Sequence, residues 1–196
     1  MWCKNCNIET KRNTCPVCNS ETVEDKPTEI YWCDNCKIPV IVDINQTGKD
    51  KCPLCSKHMT YLCSDLRPVF PEERMLLELL LEKEPNAYSQ KSIWVSNSRY
   101  YVDGKVATFS TNFFRKADTE KLAKQIEENK KVIDYEFFNK NIQDYIAANR
   151  TRINYLIDEA HTFIKQTASK FPEENIILSF SGGKDSTAVA DLAIKA

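Results

Sequence analysis

The sequence predicts a multidomain α/β chain: two small cysteine ribbons, a small α+β module, a helical segment, and the first strand–loop–helix unit of a doubly wound parallel α/β domain. Three observations predict it. Eight of the nine cysteines stand in Cys-x-x-Cys pairs. An Asp103-Gly104 dipeptide separates two short runs rich in β-branched and aromatic residues. The apolar run Ile176–Phe180 leads into Ser181-Gly182-Gly183 and then into a second apolar segment.

The paired cysteines come first. They are Cys3/Cys6, Cys15/Cys18, Cys33/Cys36 and Cys52/Cys55. Disulfides have no need of a regular two-residue gap. A tetrahedral metal does: two thiolates from one tight turn fill two corners, and a second such turn supplies the others. Trp2-Cys3-Lys4-Asn5-Cys6-Asn7-Ile8 recurs as Trp32-Cys33-Asp34-Asn35-Cys36-Lys37-Ile38, and Cys15-Pro16-Val17-Cys18 as Cys52-Pro53-Leu54-Cys55. The reading is therefore two tandem zinc ribbons, 1–27 and 28–65, joined by the polar stretch Glu21–Glu29. The second has a longer arm holding the strand-like Ile38–Ile44 and a turn near Thr47-Gly48. A domain this short rarely builds a sufficient core, so metal takes the core's place. Four thiolates also suit iron, but separate ribbons with Cys-Pro-x-Cys knuckles favour structural zinc, two ions per chain.

Residues 66–117 read as a small α+β module. Pro68 and Pro71 bracket its entry, and Glu72–Lys83 is a Leu-rich helix ending before Pro85. Ile93-Trp94-Val95 reads as a strand, and Asp103-Gly104 joins Tyr100–Val102 to Lys105–Phe109 as a tight hairpin. Residues 118–150 form a helical connector. Asp118 or Thr119 caps its first helix, and Tyr135, Phe138, Ile142, Tyr145 and Ile146 form the apolar row of the next. Residues 151–196 open the last domain: a helix carrying Ile153, Leu156, Ile157, Ala160, Phe163 and Ile164, then Pro172, a buried strand Ile176–Phe180, the glycine loop, and a helix from Ser186 or Thr187. The sequence ends inside that helix, which leads to the expectation of a longer protein whose first 196 residues would not turn over alone.

The glycine loop is suited to an anion. Gly182 and Gly183 let backbone N–H groups approach phosphate oxygens, and the following helix offers its positive end. Ser181, Ser186 and Thr187 add hydroxyls, Lys184 adds a charge, and Asp185 suits a Mg²⁺ carried with the phosphates. A Walker A loop does not fit, since it requires glycine where Leu178 stands and a hydroxyl residue where Asp185 stands. A Gly-x-Gly-x-x-Gly loop is absent too, because only two glycines follow Gly104.

Ser181-Gly182-Gly183-Lys184-Asp185-Ser186 resembles the PP-loop of the adenine nucleotide α-hydrolase-like superfamily, whose domain is Rossmann-like. Phe171–Ala196, with the helix that precedes it, resembles the opening of the phosphoadenosine phosphosulfate (PAPS) reductase family domain. Ribbons, then a small α+β module, then this domain is an arrangement similar to proteins of that family. The resemblance implies that the loop holds the phosphates of ATP or of a sulfonucleotide, with Ser181, Gly182, Gly183, Lys184, Asp185 and Ser186 as binding residues. An unbroken Ser-Gly-Gly-x-Asp-Ser loop is typical of members that cleave ATP between its α and β phosphates. The implied activity is thus adenylation of an acceptor with pyrophosphate release, and sulfur transfer to that acceptor as the following step. The runner-up is reduction of a sulfonucleotide to sulfite by a cysteine near the C-terminus. A third reading makes the ribbons an RNA- or protein-docking module that guides such an enzyme, with tRNA as one partner.

Other residues have plainer readings. Arg99, Tyr100, Tyr101, Lys105, Arg115 and Lys116 mix bases and aromatics suited to RNA, but the expectation is that the aromatics pack the hairpin. His58 is expected at the surface, Cys63 as a buried small apolar residue, and His161 at a helix boundary. Asp158 and Glu159 are adjacent on a helix and point apart. The net charge of −1 gives no general pull toward nucleic acid or an anionic membrane. No apolar run approaches the ~18 residues of a membrane span, and Met1-Trp2-Cys3-Lys4 opens no signal peptide. A cytoplasmic location is expected.

Overall fold

The computed structural model describes residues 2–3, 8–9, 12–23, 28–43, 47–96, 99–110 and 117–196, with the backbone alone at 2, 8–9 and 108–110. It forms two compact units, Met1–Ala148 and Asn149–Ala196. The architecture is mixed α/β, and every sheet among the described residues is antiparallel.

The tandem repeat reappears as a repeat of register. β1 (Trp2–Cys3) pairs with β2 (Ile8–Glu9), placing Trp2 opposite Glu9 and Cys3 opposite Ile8. β3 (Thr28–Cys33) pairs with β4 (Ile38–Asp43) so that Trp32 faces Pro39 and Cys33 faces Ile38, the same two positions of the motif. The second copy is the larger structure. Its hairpin runs for six residue pairs, and β5 (Thr60–Cys63) adds a third strand beside β3. Ile38, Val40, Val42 and Met59 are buried between this sheet and the second pair of cysteines. The strand covers Ile38–Asp43 of the expected Ile38–Ile44, and Ile44 lies outside the described residues.

The α+β module holds a four-stranded sheet in the order β6 (Arg67–Pro68), β7 (Ile93–Ser96), β8 (Arg99–Val102), β9 (Lys105–Ser110). All four residues of β7 are buried, the apolar Ile93, Trp94 and Val95 and the polar Ser96. The Asp103-Gly104 turn has both residues at positive φ, +49° and +78°, the signature of a two-residue turn that matches strand twist. Helix α1 (Pro71–Leu80) opens with proline in its first turn and buries Pro71, Arg74, Met75 and Glu78 along one stripe. That stripe contains a charged pair. The Glu78 carboxylate is fully buried, accepts the backbone N–H groups of Asn86 and Tyr88 at 2.7 Å each, and lies 3.5 Å from Arg74 Nε. Arg74 in turn donates to the Asn86 side chain and the Asp134 carbonyl, which fixes the 84–89 turn and the chain just before Glu136.

Helix α2 (Thr119–Asn129) is capped by Asp118, whose side chain accepts from the Lys121 N–H. Helix α3 (Glu136–Ala148) then packs through Phe138 onto Phe70 and through Tyr145 onto Trp94. Tyr145 and Ala148 also touch the ribbon core, so α3 bridges the ribbon and the α+β module.

The second unit is α4 (Arg150–Ala168) lying against α5 (Lys184–Lys195). Here the structure corrects the sequence reading. Ile176–Phe180 is an extended segment outside any sheet, with Ile177 89% and Phe180 62% exposed. An apolar run becomes a strand only when a neighbour accepts its backbone hydrogen bonds, and the described residues of this unit offer none. No parallel, Rossmann-like unit is therefore present among them. Helix α5 also starts at Lys184, two residues before the expected Ser186, because Gly183 in extended conformation serves as its N-cap. No helix among the described residues is long and apolar enough to cross a membrane.

Candidate metal centre

Three knuckles share one local geometry. In each, the carbonyl of the first cysteine accepts the N–H of the residue just past the second: Cys15 from Asn19 at 3.0 Å, Cys33 from Lys37 and Cys52 from Ser56 at 2.8 Å. Closing so tight a turn forces that residue into the left-handed region, with φ of +57° at Asn19, +56° at Lys37 and +58° at Ser56. The two Cys-Pro-x-Cys knuckles match further. The N–H groups of Cys15 and Cys52 donate to Ser20 and Lys57, and those of Thr22 and Met59 donate to Asn13 and Asp50. The left-handed positions were legible in principle, since each follows a Cys-x-x-Cys pair directly, but no glycine marks them.

The knuckles bring thiols together. Cys33, Cys36, Cys52 and Cys55 have sulfurs all within 4.8 Å of one another, with Cys33 to Cys55 at 3.5 Å and Cys36 to Cys52 at 3.9 Å. Four thiolates at ~2.3 Å from a zinc ion would stand about 3.8 Å apart, so the cluster fits a tetrahedral ion. It does not fit disulfides, whose sulfurs lie at ~2.05 Å. Cys3, Cys15 and Cys18 form the second cluster, with Cys3 and Cys18 sulfurs 3.4 Å apart. Cys6, the expected fourth ligand, lies outside the described residues.

The surroundings tune these thiols in opposite directions. Burial pushes the Cys33 thiol up to about 11 and the Cys36 thiol up as well. Cys55 is pulled down to about 7, first by the backbone N–H of Lys57. Burial raises Cys15, but the N–H groups of Cys18 and Val17 outweigh it and leave the thiol below its ordinary value. A cation that displaces the remaining protons is the group this arrangement suits. His58 stands apart from the cluster, exposed and 3.4 Å from Asp50. Cys63 is buried in β5 and donates to the Asp65 carbonyl.

The glycine loop is open to solvent. Gly182 has φ of +77°, and no side chain accepts hydrogen bonds from the first turn of α5. Ser181 Oγ lies 3.1 Å from Ser186 Oγ, and both Ser186 and Thr187 hydroxyls donate to the Gly183 carbonyl. The Lys184 ammonium is 3.6 Å from Asp185, both largely exposed. Of the residues suited to RNA, Tyr100 and Tyr101 are buried in the sheet, Arg99 and Lys105 are exposed, and Arg115 and Lys116 lie outside the described residues. His161 is half-buried on α4, where Glu159 is half-buried and Asp158 exposed.

Neither a family model nor a curated protein nor a solved structure matches this chain.

Proposed function

We propose that this is a zinc-ribbon PP-loop protein. Two structural zinc ions hold its N-terminal ribbons, one on Cys3, Cys6, Cys15 and Cys18 and one on Cys33, Cys36, Cys52 and Cys55. Ser181–Thr187 holds the phosphates of an adenine nucleotide. The thiol tetrahedron supports the first part. It leaves no open coordination position, so the metal organises the chain and does not act on substrate. Elemental analysis of protein purified without oxygen should give two zinc per chain, and appreciable iron would overturn the assignment.

The observation that supports the second part is the capping of α5. Gly183 places no side chain over the first-turn N–H groups, while Gly182 in the left-handed region turns the loop back beside them. Those N–H groups, the Ser181 and Ser186 hydroxyls and the Lys184 ammonium suit a polyphosphate, and Asp185 suits its Mg²⁺. The reaction this reading assigns is adenylation: an acceptor oxygen attacks the α-phosphorus of ATP, the bond to the bridging oxygen of the β-phosphate breaks, and pyrophosphate leaves. Sulfur transfer to the activated acceptor follows from the resemblance to the PAPS reductase family. Two measurements test it. Titrating pyrophosphate with Mg²⁺ should shift the amide resonances of Gly182–Thr187, and Lys184→Ala should abolish the shift. Incubating the protein with α-labelled ATP and its acceptor should release AMP or adenylated product together with pyrophosphate. Silence in both experiments would sink the reading.

A further inference from the structure

We propose that metal binding at Cys33, Cys36, Cys52 and Cys55 and the docking of α3 are one coupled event, with Asn141 as the positioning residue that joins them. The proposal rests on the metal reading above and extends it to a residue far from the cysteines in sequence. Asn141 is the buried residue of α3. Its Nδ2 donates at 2.9 Å to the carbonyl of Lys37, the left-handed residue whose N–H closes the Cys33–Cys36 knuckle. Its Oδ1 accepts at 2.9 Å from the Ser92 hydroxyl, which accepts at 2.8 Å from Trp94 Nε1.

Every direction in this relay is forced. The Lys37 carbonyl can only accept, so it takes the Asn141 amide N–H₂ and leaves Oδ1 facing Ser92, whose hydroxyl donates to it while accepting from the Trp94 indole. Ser92, Trp94 and Asn141 are all buried, where a lost partner is not replaced by bulk water. The relay also closes on itself. Ser92 exchanges hydrogen bonds with Asp103 through its own N–H and carbonyl. The adjacent Gly104 abuts the indole of Trp32, the residue before Cys33. A circuit thus leaves the knuckle at Lys37, crosses α3 and β7, and returns at Trp32. Distorting the knuckle breaks the circuit, and breaking the circuit frees the knuckle from the geometry that presents two thiolates. Residues that orient ligands in this way typically change metal affinity by ~10–100-fold.

The test uses the full chain with Cys15→Ser, which takes a thiolate from the first cluster and weakens it, so that the tighter site read in the competition is the second. Asn141→Asp keeps the acceptor for Ser92 and replaces the donor to Lys37 by an ionisable oxygen that faces the carbonyl. Competition between this protein and a chelator for Co(II) should show an affinity ten- to a hundredfold weaker than with Asn141. The thiolate-to-cobalt absorption at saturation should be unchanged, showing that the same four ligands bind. Equal affinity would overturn the proposal. Should Asn141→Asp not fold, hydrogen exchange on the parent protein decides: restoring zinc to the metal-free chain should protect amides of 136–148 and 92–96, and unchanged protection there overturns the coupling. If the Cys15→Ser chain takes up no Co(II) at all, the metal reading itself falls, a result distinct from binding that ignores Asn141.

Discussion

Replacing Gly104 by alanine isolates the contact between the ribbon and the α+β module. Gly104 has φ of +78°, and an alanine Cβ built there would lie 2.4 Å from Cδ1 and Nε1 of Trp32. Two penalties follow. Holding an L-residue in the left-handed region costs ~1–2 kcal/mol. The collision adds to it, because Trp32 is only 4% exposed and its ring is not a flexible end that can swing aside. Overpacking of this kind costs about 1–3 kcal/mol. Gly48 supplies the control: its φ is +67°, yet nothing lies within 4 Å of a Cβ placed there. Gly48→Ala should therefore show the backbone penalty alone. In urea unfolding of the zinc-loaded protein followed by tryptophan fluorescence, Gly104→Ala should be less stable than Gly48→Ala by about 1–3 kcal/mol. The smaller side chain of Trp32→Leu should recover part of that difference in the double variant, as expected for residues in contact. Equal destabilisation by the two alanines would refute the contact as the reason for glycine at 104.

Further outcomes follow from the same structure. Glu78→Ala removes the acceptor of two backbone N–H groups and strands the buried Arg74 charge, so thermal melts should show a loss of about 3–5 kcal/mol. Asp118→Ala deletes the cap of α2 and should cost ~1 kcal/mol, read as faster amide exchange over the first turn of that helix. Glu73 gives a pH dependence: burial raises its carboxyl, but Arg67 at 2.7 and 2.9 Å and the Tyr100 hydroxyl outweigh burial and hold it below the ordinary range. A depressed carboxyl stabilises the fold above its unfolded pKa, and the contribution is lost as pH falls through the folded value. Arg67→Ala should raise the Glu73 midpoint seen by NMR and flatten the acid limb of stability; an unmoved midpoint would contradict the pairing.

The parts of this protein that the sequence made legible are those governed by local rules. A knuckle forms at each Cys-x-x-Cys pair whose residues are all described, and the repeat of Trp2–Ile8 in Trp32–Ile38 returned as a repeat of strand register. Asp103-Gly104 dictates a hairpin because both positions need positive φ, and Asp118 caps α2 through its own side chain. Ile176–Phe180 shows where local rules stop. Apolarity tells of a demand for burial, but a strand needs a hydrogen-bonding neighbour, and the run alone cannot supply one.

Local sequence carries the clustering of Cys33, Cys36, Cys52 and Cys55 and of Cys3, Cys15 and Cys18, the Asp103-Gly104 hairpin and the Asp118 cap, whereas the helix expected over Glu72–Lys83 runs from Pro71 to Leu80. The clusters, the hairpin and the cap are each set by residues within a few positions of one another, or by motifs repeated. Tertiary packing brings Asn141 to the Lys37 carbonyl, seats the Glu78 and Arg74 side chains beneath the 84–89 turn, and holds Gly104 against Trp32. Asn141 and Lys37, Arg74 and Asp134, and Gly104 and Trp32 are distant along the chain, and burial makes each polar group depend on its partner, because an unpaired one would keep the cost of leaving water. No single stretch of sequence encodes that, because neither partner is buried until the other has arrived.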